Sequence, residues 1–248
     1  MMLRDALARQ GQLLFRWRSF LPLVLLPLLL VAFYHTGTIE PAFGAAVEHG
    51  WDGFCVVIGF LGLALRCAIV GFAPSGTSGR NTREQRADAL NTTGLYSLVR
   101  HPLYLANFVM FVGMTLMVQV WWFTVIGVLA YWLYYERIAA AEEAFLERKF
   151  GRAYRDWARR TPAFVPRLKG WRRPALPFSW RTVLRREHHG FFLLVTVYTL
   201  IELVSDSVAE RHWHLEQNWL AFFLAGAVTF LIVNQIKKRT RLLHVPGR

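Results

Sequence analysis

The stretch VRHPLYLANFVMFVGMTLMVQVWWFTVIGVLAYWLYYER, residues Val99–Arg137, contains two apolar runs that are separated by a single polar residue, Gln119. The runs are Leu103–Val118 and Val120–Tyr135, and neither contains a charged side chain. Each is slightly shorter than the roughly 20 residues that an α-helix needs to cross the hydrocarbon core of a bilayer. Two such runs with almost nothing between them predict a tight helical hairpin at membrane depth.

The remainder of the chain contains four further apolar runs. They are Phe20–Tyr34, Trp51–Ala73, Gly190–Val204 and Trp219–Ile236. The chain of 248 residues is 54% hydrophobic and 15% aromatic, yet it has a formal net charge of +13. That combination favours a membrane protein with basic surfaces over a soluble domain. We therefore expect an all-α, polytopic integral membrane protein with about six transmembrane helices, of which spans 3 and 4 form the hairpin.

Basic residues are distributed very unevenly among the segments that connect the apolar runs. In a six-span topology, 27 of the 29 Lys and Arg residues lie on one side of the membrane, and the exceptions are Arg66 and Arg211. Because positively charged loops stay in the cytoplasm, the pattern predicts that both termini are cytoplasmic, and we expect the bacterial inner membrane as the location. Anionic membrane lipids, and no nucleic acid, are the partners expected for this basic face.

Polar side chains are concentrated where the third apolar run begins. Arg100 and His101 precede Pro102, which is well suited to the first turn of a helix because its missing N–H has no helical partner there. Tyr104 follows one turn later on the same face as His101, and Tyr96 precedes them. A histidine or arginine at this depth often only anchors a helix to the membrane surface. The residues therefore indicate either a helix anchor or a polar binding site.

A second polar feature follows the fourth run, in the segment Ala139–Leu168. Large apolar side chains recur there at helical spacing among many Arg and Lys residues. This pattern predicts a basic amphipathic cytoplasmic helix that lies on the membrane surface. Glu142 and Glu143 stand at its start, where two adjacent carboxylates are unfavourable beside anionic lipid unless a cation meets one of them. A bound cationic group is therefore one interpretation of this pair.

The two polar segments together resemble a known family. GLYSLVRHPLYLANF, residues 94–108, is followed after the hairpin by EEAFLERKFGRAYRDWARRTPAFVP, residues 142–166. These motifs, at this spacing around a hairpin, resemble the isoprenylcysteine carboxyl methyltransferases and, more widely, the phospholipid methyltransferases. The resemblance covers about residues 50–168 and implies three parts: an N-terminal tail and first span at 1–49, a methyltransferase core at 50–168, and a two-span C-terminal extension at 169–248.

The resemblance implies an integral-membrane enzyme that binds S-adenosyl-L-methionine from the cytosol and methylates a lipid-borne group. Carried over position by position, it implies cofactor contacts before and after the hairpin. They are Asp88, Ala89, Leu90, Asn91, Tyr96, His101, Pro102, Leu103, Tyr104, Glu142 and Glu143. Catalytic roles are implied for His101 and Arg137. Arg137 lies one place before Ile138, the position that holds a substrate-handling arginine in the carboxyl methyltransferases.

The expected acceptor is a lipid or lipid-linked substrate in the inner leaflet, methylated at the cytoplasmic face. One residue of offset turns a helical side chain by about 100°, so the placement of Arg137 disfavours a prenylcysteine carboxylate. The basic inner face favours an anionic oxygen, in a carboxylate or a phosphate. Methyl transfer is an in-line displacement that depends mainly on positioning, and an anionic oxygen needs no general base.

Two other functions are compatible with the same residues. One is an NADPH-dependent membrane reductase of the sterol-reductase type, which shares a related hairpin fold. The other is a non-catalytic lipid-binding or assembly protein, in which Arg66 and Glu202 would be structural or gating charges. No metal site is expected, since Cys55 and Cys67 lie within one apolar run without a neighbouring histidine.

Overall fold

The computed structural model of the chain describes residues 3–17, 21–74, 87–210, 213 and 215–247. Within these residues the regular secondary structure is entirely helical, as the sequence predicts. In chain order the helices are α1 (Leu3–Trp17), α2 (Leu21–Val24), α3 (Leu26–Phe33), α4 (Ile39–Phe43), α5 (Ala45–Phe72), α6 (Pro102–Met117), α7 (Trp121–Phe150), α8 (Arg152–Ala158), α9 (Trp180–Glu210) and α10 (Gln217–Arg239). A short 3-10 helix, Gly94–Ser97, precedes α6.

Three of the described helices are long and apolar enough to cross a membrane. They are α5, the Trp180–Val208 part of α9, and α10. Helix α6 is apolar but has only 16 residues, and the 30 residues of α7 include a charged C-terminal half. The helical class is therefore confirmed, whereas the described residues contain three helices of full spanning length and about six spans were expected.

The first apolar run, Phe20–Tyr34, differs from the single span expected there. Its described residues form two short helices, α2 and α3, with a turn at Leu25. Pro27 lies in the first turn of α3, and its ring nitrogen cannot donate the hydrogen bond that would continue α2 into α3. Neither helix alone has the length of a transmembrane segment.

The basic segment Ala139–Leu168 also differs from the single amphipathic helix expected there. Helix α7 continues without a break from the fourth apolar run to Phe150, so Glu142 and Glu143 lie inside a long helix. Gly151 has a φ of 53° and ends α7, because a positive φ interrupts the helical hydrogen-bond ladder. Only the seven residues of α8 follow before the chain becomes non-helical.

Small residues allow α5, α6 and α9 to approach each other closely. The hydroxyl of Tyr198 on α9 donates a 2.7 Å hydrogen bond to the carbonyl oxygen of Cys55 on α5. A Cβ atom at Gly113 of α6 would lie 2.5 Å from this hydroxyl and 2.8 Å from the Cys55 carbonyl oxygen. Close backbone contact through glycine is a common way to pack helices in membranes, and here it joins α9 to the centre of the fold.

Helix α1 packs against the charged half of α7. The Tyr134 hydroxyl donates a 2.9 Å hydrogen bond to the Leu14 carbonyl oxygen, and a Cβ at Gly11 would collide with the Arg137 carbonyl oxygen. The Thr36 hydroxyl, in contrast, donates a 2.9 Å bond to the carbonyl oxygen of Val118, just before α7 begins. The chain therefore passes from the middle of α7 to the start of α7 between α1 and Thr36.

After α8 the chain turns back over the start of α6. We call residues 161–179 the return segment. The backbone N–H groups of Arg100 and His101 donate to the carbonyl oxygens of Pro162 and Ala163, at 2.8 Å and 3.2 Å. Further along, the Gly94 N–H donates a 2.9 Å bond to the return segment. These bonds fix the residues before α6 against a segment that lies 60 or more positions later in the sequence.

Candidate active site

His101 lies at the N-terminus of α6 between two carboxylates from α7. Its side chain is only 6% exposed, and its Nε2 atom is 3.1 Å from Glu143 Oε1. Its Nδ1 atom is 3.7 Å from Glu142 Oε2. Arg100 completes the arrangement, with Nη1 3.0 Å from Glu143 Oε2. The adjacent glutamates are therefore both balanced by positive or polar groups from the start of α6, which a surface-lying helix would not provide.

Tyr104 connects the same carboxylates to an aromatic wall. Its hydroxyl donates a short hydrogen bond to Glu142 Oε1. The His101 ring stacks between Tyr104, at a centroid distance of 5.4 Å, and Phe164 of the return segment, at 5.7 Å. We call Arg100, His101, Tyr104, Glu142 and Glu143 the His101 cluster. Its members come from two helices that meet only in the folded chain.

Tyr96 lies beside this cluster, in the 3-10 helix. Burial, together with the negative charge of Glu142, raises the pKa of the Tyr96 phenol well above its ordinary value, so this hydroxyl stays protonated at neutral pH. The Trp157 indole N–H of α8 donates a 3.0 Å hydrogen bond to the Tyr96 carbonyl oxygen. Gly94 starts the turn with a φ of 59°, a conformation that glycine adopts without strain.

The other residues implied by the family resemblance lie around this centre. Pro102 is buried and Leu103 half-buried in the first turn of α6. Asp88, Ala89 and Leu90 belong to a non-helical segment, in which Asp88 and Ala89 are exposed. The Asn91 Oδ1 atom accepts two 3.2 Å hydrogen bonds, from the backbone and the hydroxyl of Thr93. The side chain of Asn91 thus shapes the approach to the 3-10 helix.

Arg137 occupies a different face of α7. Its Nε atom donates a 3.0 Å hydrogen bond to Gln10 Oε1 on α1, and its Nη1 donates to the carbonyl oxygen of Leu133. The contacts of its guanidinium are therefore with α1 and with its own helix. The structure brings together the five residues of the His101 cluster and places Arg137 at the packing surface between α1 and α7.

An apolar cavity of about 230 Å³ adjoins the cluster at Tyr104. We call it the aromatic cleft. Its lining consists of Tyr104, Leu105, Phe108, Tyr131, Trp132, Tyr135, Phe164, Val165 and Pro166. Trp132 is 47% exposed and Val165 is 73% exposed. The cleft therefore opens at an apolar part of the protein surface. An apolar chain that enters there would lie next to the polar cluster.

Most residues of the cleft were not identified from the sequence. Tyr131 and Tyr135 are one turn apart on α7, and their stacked rings have a centroid distance of 4.2 Å. The Tyr131 hydroxyl donates a 2.8 Å hydrogen bond to the Tyr104 carbonyl oxygen. Tyr104 and Phe108 have the same i, i+4 spacing on α6. This matched i, i+4 spacing of aromatic residues was the sequence feature that could have indicated the cleft. It is difficult to recognise because the same run contains many other aromatic residues.

The site has two chemically different parts. It combines a carboxylate pair, a buried imidazole and tyrosine hydroxyls with an apolar cleft in a helical protein that has membrane-spanning helices. Among the residues that the structure describes, no group of three or more His, Cys, Asp or Glu side chains could hold a metal ion. These features define a helical membrane protein with a polar site beside an apolar one.

Comparison with known proteins agrees with the resemblance that the motifs indicate. Residues 56–153 match the family model of the phospholipid methyltransferases. The match includes all five residues of the His101 cluster. It supports an integral membrane protein, and it does not favour the reductase and non-catalytic alternatives.

Individual relatives share about half of the chain. A nickel-cobalt-cadmium resistance protein of Alcaligenes xylosoxydans xylosoxydans is 40% identical over 119 residues, 47% of this chain and 52% of the relative. A cobalt-zinc-cadmium resistance protein of Cupriavidus metallidurans is 37% identical over 129 residues, 49% of this chain and 56% of the relative. Protein-S-isoprenylcysteine O-methyltransferase B of Arabidopsis thaliana is 30% identical over 121 residues, 48% of this chain and 61% of the relative. The chain thus spans between half and two thirds of these relatives, and no solved structure matches it significantly.

Proposed function

We propose that the protein is an integral-membrane methyltransferase that uses S-adenosyl-L-methionine to methylate a lipid-borne head group at the cytoplasmic face. The observation that carries the proposal is the position of the His101 cluster. Its polar residues adjoin the aromatic cleft at Tyr104, within the residues that match the phospholipid methyltransferase family. A soluble, charged methyl donor and an apolar acceptor need these two environments side by side.

The residues of the cluster fit the charges of the proposed cofactor. When bound, S-adenosyl-L-methionine supplies a methyl group on a positively charged sulfur that is displaced in line. Glu142 can accept hydrogen bonds from an ammonium or a ribose hydroxyl, and the ring of Tyr104 can face a positive charge. The Nε atom of Arg100 is buried and has no hydrogen-bond partner among the described residues, so it can donate to a carboxylate.

His101 and Arg137 receive different roles in this proposal. His101 is held between both glutamates, and we assign it to the cofactor pocket, where it orients Glu142 and Glu143. It need not remove a proton, because an anionic acceptor oxygen has none to lose. Arg137 binds Gln10, so we infer that it acts through the packing of α1 rather than on the reactants.

The aromatic cleft is the proposed binding site for the acceptor's hydrocarbon part. Its lining is apolar and aromatic, and burial of a methylene group from water contributes about 0.8 kcal/mol. A chain that arrives from the bilayer would enter beside Trp132 and Val165, which are both exposed. Its head group would then lie near Tyr104, with its reactive oxygen beside the cofactor pocket.

The proposed topology keeps both termini on the cytoplasmic side of an inner membrane. The passage of the chain from the middle of α7, at Tyr134, to its start, at Val118, supports a first crossing through the broken helices α2 and α3. Helices α5, α6, α7, α9 and α10 would supply the other five crossings. This arrangement puts the positively charged segments on the inner side.

A cysteine-labelling experiment tests this topology. In a variant without Cys55 and Cys67, single cysteines are introduced at Arg241 and at Ala46, both of which are exposed positions. In intact cells an impermeant thiol reagent is expected to label position 46 and not position 241, because only the former faces outward. Permeabilised cells provide the control, in which both are labelled. Labelling of position 241 in intact cells would contradict the topology and the cytosolic location of the cofactor pocket.

The acceptor is proposed to be an anionic oxygen, either a carboxylate or a phosphate. Membranes that contain the protein are incubated with S-adenosyl-L-methionine carrying a radiolabelled methyl group, and the lipids are then extracted. We expect the label in a methylated lipid that elutes earlier from an anion-exchange column than the unmethylated acceptor lipid, because each transfer removes one negative charge. A Glu142→Ala preparation is the background control. Label on a zwitterionic amine lipid, or on protein alone, would contradict the proposed acceptor but not methyl transfer itself.

Removal of lipid charge offers a link to the two resistance proteins among the relatives. Divalent cations adsorb to membranes through anionic head groups, and each methyl ester that forms removes one negative charge. We propose that a contribution of this chain to metal tolerance, if it shares one with those relatives, arises from such a change in the membrane surface.

A further inference from the structure

Nine consecutive residues of the return segment, 165–173, are all exposed. Their sequence is VPRLKGWRR, and we call them the exposed strip. Its large apolar side chains are Val165, Leu168 and Trp171, which are 73%, 85% and 51% exposed. Its basic residues are Arg167, Lys169, Arg172 and Arg173. Large apolar side chains that are exposed in such a close group indicate a surface that meets a partner.

The backbone of the exposed strip is fixed to the residues that precede α6. The Arg167 N–H donates a 2.9 Å hydrogen bond to the Leu98 carbonyl oxygen. The Arg172 N–H donates a 3.0 Å bond to the Ser97 hydroxyl, and the Arg172 carbonyl oxygen accepts a 2.9 Å bond from the Gly94 N–H. The main chain is therefore bonded to the fold, and the exposed side chains project from a defined support.

The return segment crosses one end of the helix bundle. It begins at the start of α6, where its carbonyl oxygens accept hydrogen bonds from Arg100 and His101. It ends beside the last turn of α5, where the Ser179 N–H donates a 2.9 Å bond to the Gly71 carbonyl oxygen, and α9 starts at the next residue, Trp180. Helices α5 and α9 are long enough to cross a membrane. Their ends here therefore lie at the level of lipid head groups, where amphipathic side chains such as tryptophan are favoured.

The exposed strip is continuous with the aromatic cleft. Val165 and Pro166 belong to both, since they line the cavity and also form the start of the strip. Phe164, directly before them, lines the cleft as well, and its ring lies 5.2 Å from the Trp132 ring of α7. A molecule that contacts the strip at Val165 is therefore at the mouth of the cleft.

Charge determines which kind of partner fits the strip. Residues 157–186 contain nine Lys and Arg residues and no Asp or Glu. Within the part of the chain that the structure describes, no carboxylate forms an ion pair with the four cations of the strip. Their charge is therefore available to an anionic partner.

The mixture of apolar and basic side chains suits the surface of an anionic bilayer. Apolar side chains such as Leu168 and Trp171 can enter the boundary of the hydrocarbon, while long cationic side chains reach the head groups. An acidic protein would match the charges too. The position of the strip, at the ends of membrane-spanning helices and at the mouth of an apolar cleft, favours lipid.

We propose that the exposed strip is a docking surface for anionic lipid head groups, which it holds beside the mouth of the aromatic cleft. Leu168 and Trp171 enter the interface of the bilayer, and the cations of the strip bind the charged oxygens of the head groups. In the proposed topology this is the inner leaflet. The binding of anionic lipid is independent of the proposed function, whereas the supply of an acceptor to the cleft rests on it.

A fluorescence measurement detects anionic lipid at the strip directly. In a variant without Cys55 and Cys67, Leu168→Cys carries an apolar fluorophore, and the protein is reconstituted into phosphatidylcholine vesicles. These contain a low fraction of nitroxide-labelled phosphatidylglycerol or, in parallel, of nitroxide-labelled phosphatidylcholine. We expect the anionic lipid to quench the fluorophore at least about threefold more strongly, because several cations attract it at short range. High salt should abolish this excess.

Neutralisation of the strip tests which residues attract the lipid. The neutralised variant combines Arg167→Gln, Lys169→Gln, Arg172→Gln and Arg173→Gln. In it, quenching by the anionic lipid should fall to the level of phosphatidylcholine. The matched control, which we call the α10 control, changes four exposed cations at the end of α10 to Gln: Lys237, Lys238, Arg239 and Arg241. It alters the net charge equally and should retain the excess quenching.

Methyl transfer tests the supply of acceptor. The probe is the total anionic lipid fraction of the expression host in detergent micelles, with labelled methyl donor. The neutralised variant is expected to raise the half-saturating lipid concentration at least about fivefold. Its Kd for S-adenosyl-L-methionine should change less than about twofold, since none of the four cations belongs to the His101 cluster. The α10 control should match the wild-type protein in both measurements.

The outcomes separate this inference from the proposed function. Equal quenching by the two labelled lipids, or an excess that persists in the neutralised variant, would overturn the docking surface. Absence of quenching by either lipid would show that the strip lies away from the bilayer, as a strip that binds an acidic protein would, and also overturns it. If the neutralised variant does not accumulate, the salt dependence decides, and an excess that is insensitive to salt contradicts the inference.

An unchanged half-saturating concentration in a neutralised variant that has lost the excess quenching would overturn the supply of acceptor by the strip. Absence of any methyl transfer or cofactor binding by the wild-type protein would instead contradict the proposed function. The quenching experiment needs neither cofactor nor turnover, so its result stands in either case.

Discussion

Replacement of Glu142 by alanine is expected to weaken the binding of S-adenosyl-L-methionine by about 100-fold. A hydrogen bond between a carboxylate and a cationic or hydroxyl ligand group contributes about 1.5–3 kcal/mol, and the change also removes the partner of the Tyr104 hydroxyl. His101 would lose one of its two carboxylate neighbours. The measurement is isothermal titration of the purified protein in detergent.

Glu147→Ala is the matched control for this variant. Glu147 lies on the same helix about one turn further on, is half-buried, and forms an ion pair with Arg155 of α8 at 3.7 Å. It should therefore reproduce any general effect of removing a carboxylate from α7 without touching the pocket. Equal affinities of the two variants for the cofactor, or wild-type affinity of Glu142→Ala, would show that the His101 cluster is not the cofactor site.

Replacement of Gly113 by alanine is expected to destabilise the protein by about 2 kcal/mol, within the range for overpacked cores. The new Cβ would lie 2.5 Å from the Tyr198 hydroxyl and 2.8 Å from backbone atoms of Cys55 and Gly59. Backbone atoms cannot move aside as the end of a flexible side chain can, so α5 and α6 must separate. Thermal unfolding in detergent should show a melting temperature lower by several degrees.

Gly53→Ala provides the comparison, since a Cβ there meets nothing within 4 Å and alanine has the higher helix propensity. Its melting temperature should be unchanged or slightly higher. Adding Tyr198→Phe to Gly113→Ala should recover part of the loss, because one of the close contacts disappears, and the two effects should therefore not be additive. A melting temperature of Gly113→Ala equal to that of Gly53→Ala would contradict the close packing of α5, α6 and α9.

The sequence indicated the helical class and a polar centre at the start of α6. Apolar runs gave α5, α9 and α10 because a spanning helix requires about 20 apolar residues whatever its neighbours are. Pro102 marked the start of α6, as the structure also has it, since a proline restricts the backbone locally. The motifs around His101 and Glu142 likewise led to the family whose model matches residues 56–153.

Helix boundaries were less predictable where local signals competed. The basic segment after the fourth run was expected to be a separate surface helix, but α7 continues through it to Phe150. Charged residues such as Arg137 and Arg148 do not interrupt a helix. The change from lipid to water affects which side chains are favourable, whereas the backbone hydrogen bonds of the helix remain the same. The break occurs instead at Gly151, where the backbone adopts a positive φ. Similarly, the apolar run that contains Pro27 was expected to be one helix because of its hydrophobicity, but it forms the two helices α2 and α3.

The sequence by itself therefore determined the elements whose cause is local: apolar length, the proline at the start of α6, and motif residues at fixed spacing. Only the tertiary structure decided which of those residues meet. His101 reaches Glu143 across 42 positions and Arg66 reaches Glu187 across 121. The aromatic cleft needs α6, α7 and the return segment together. Such contacts depend on how helices pack and turn relative to one another, which no short stretch of sequence specifies.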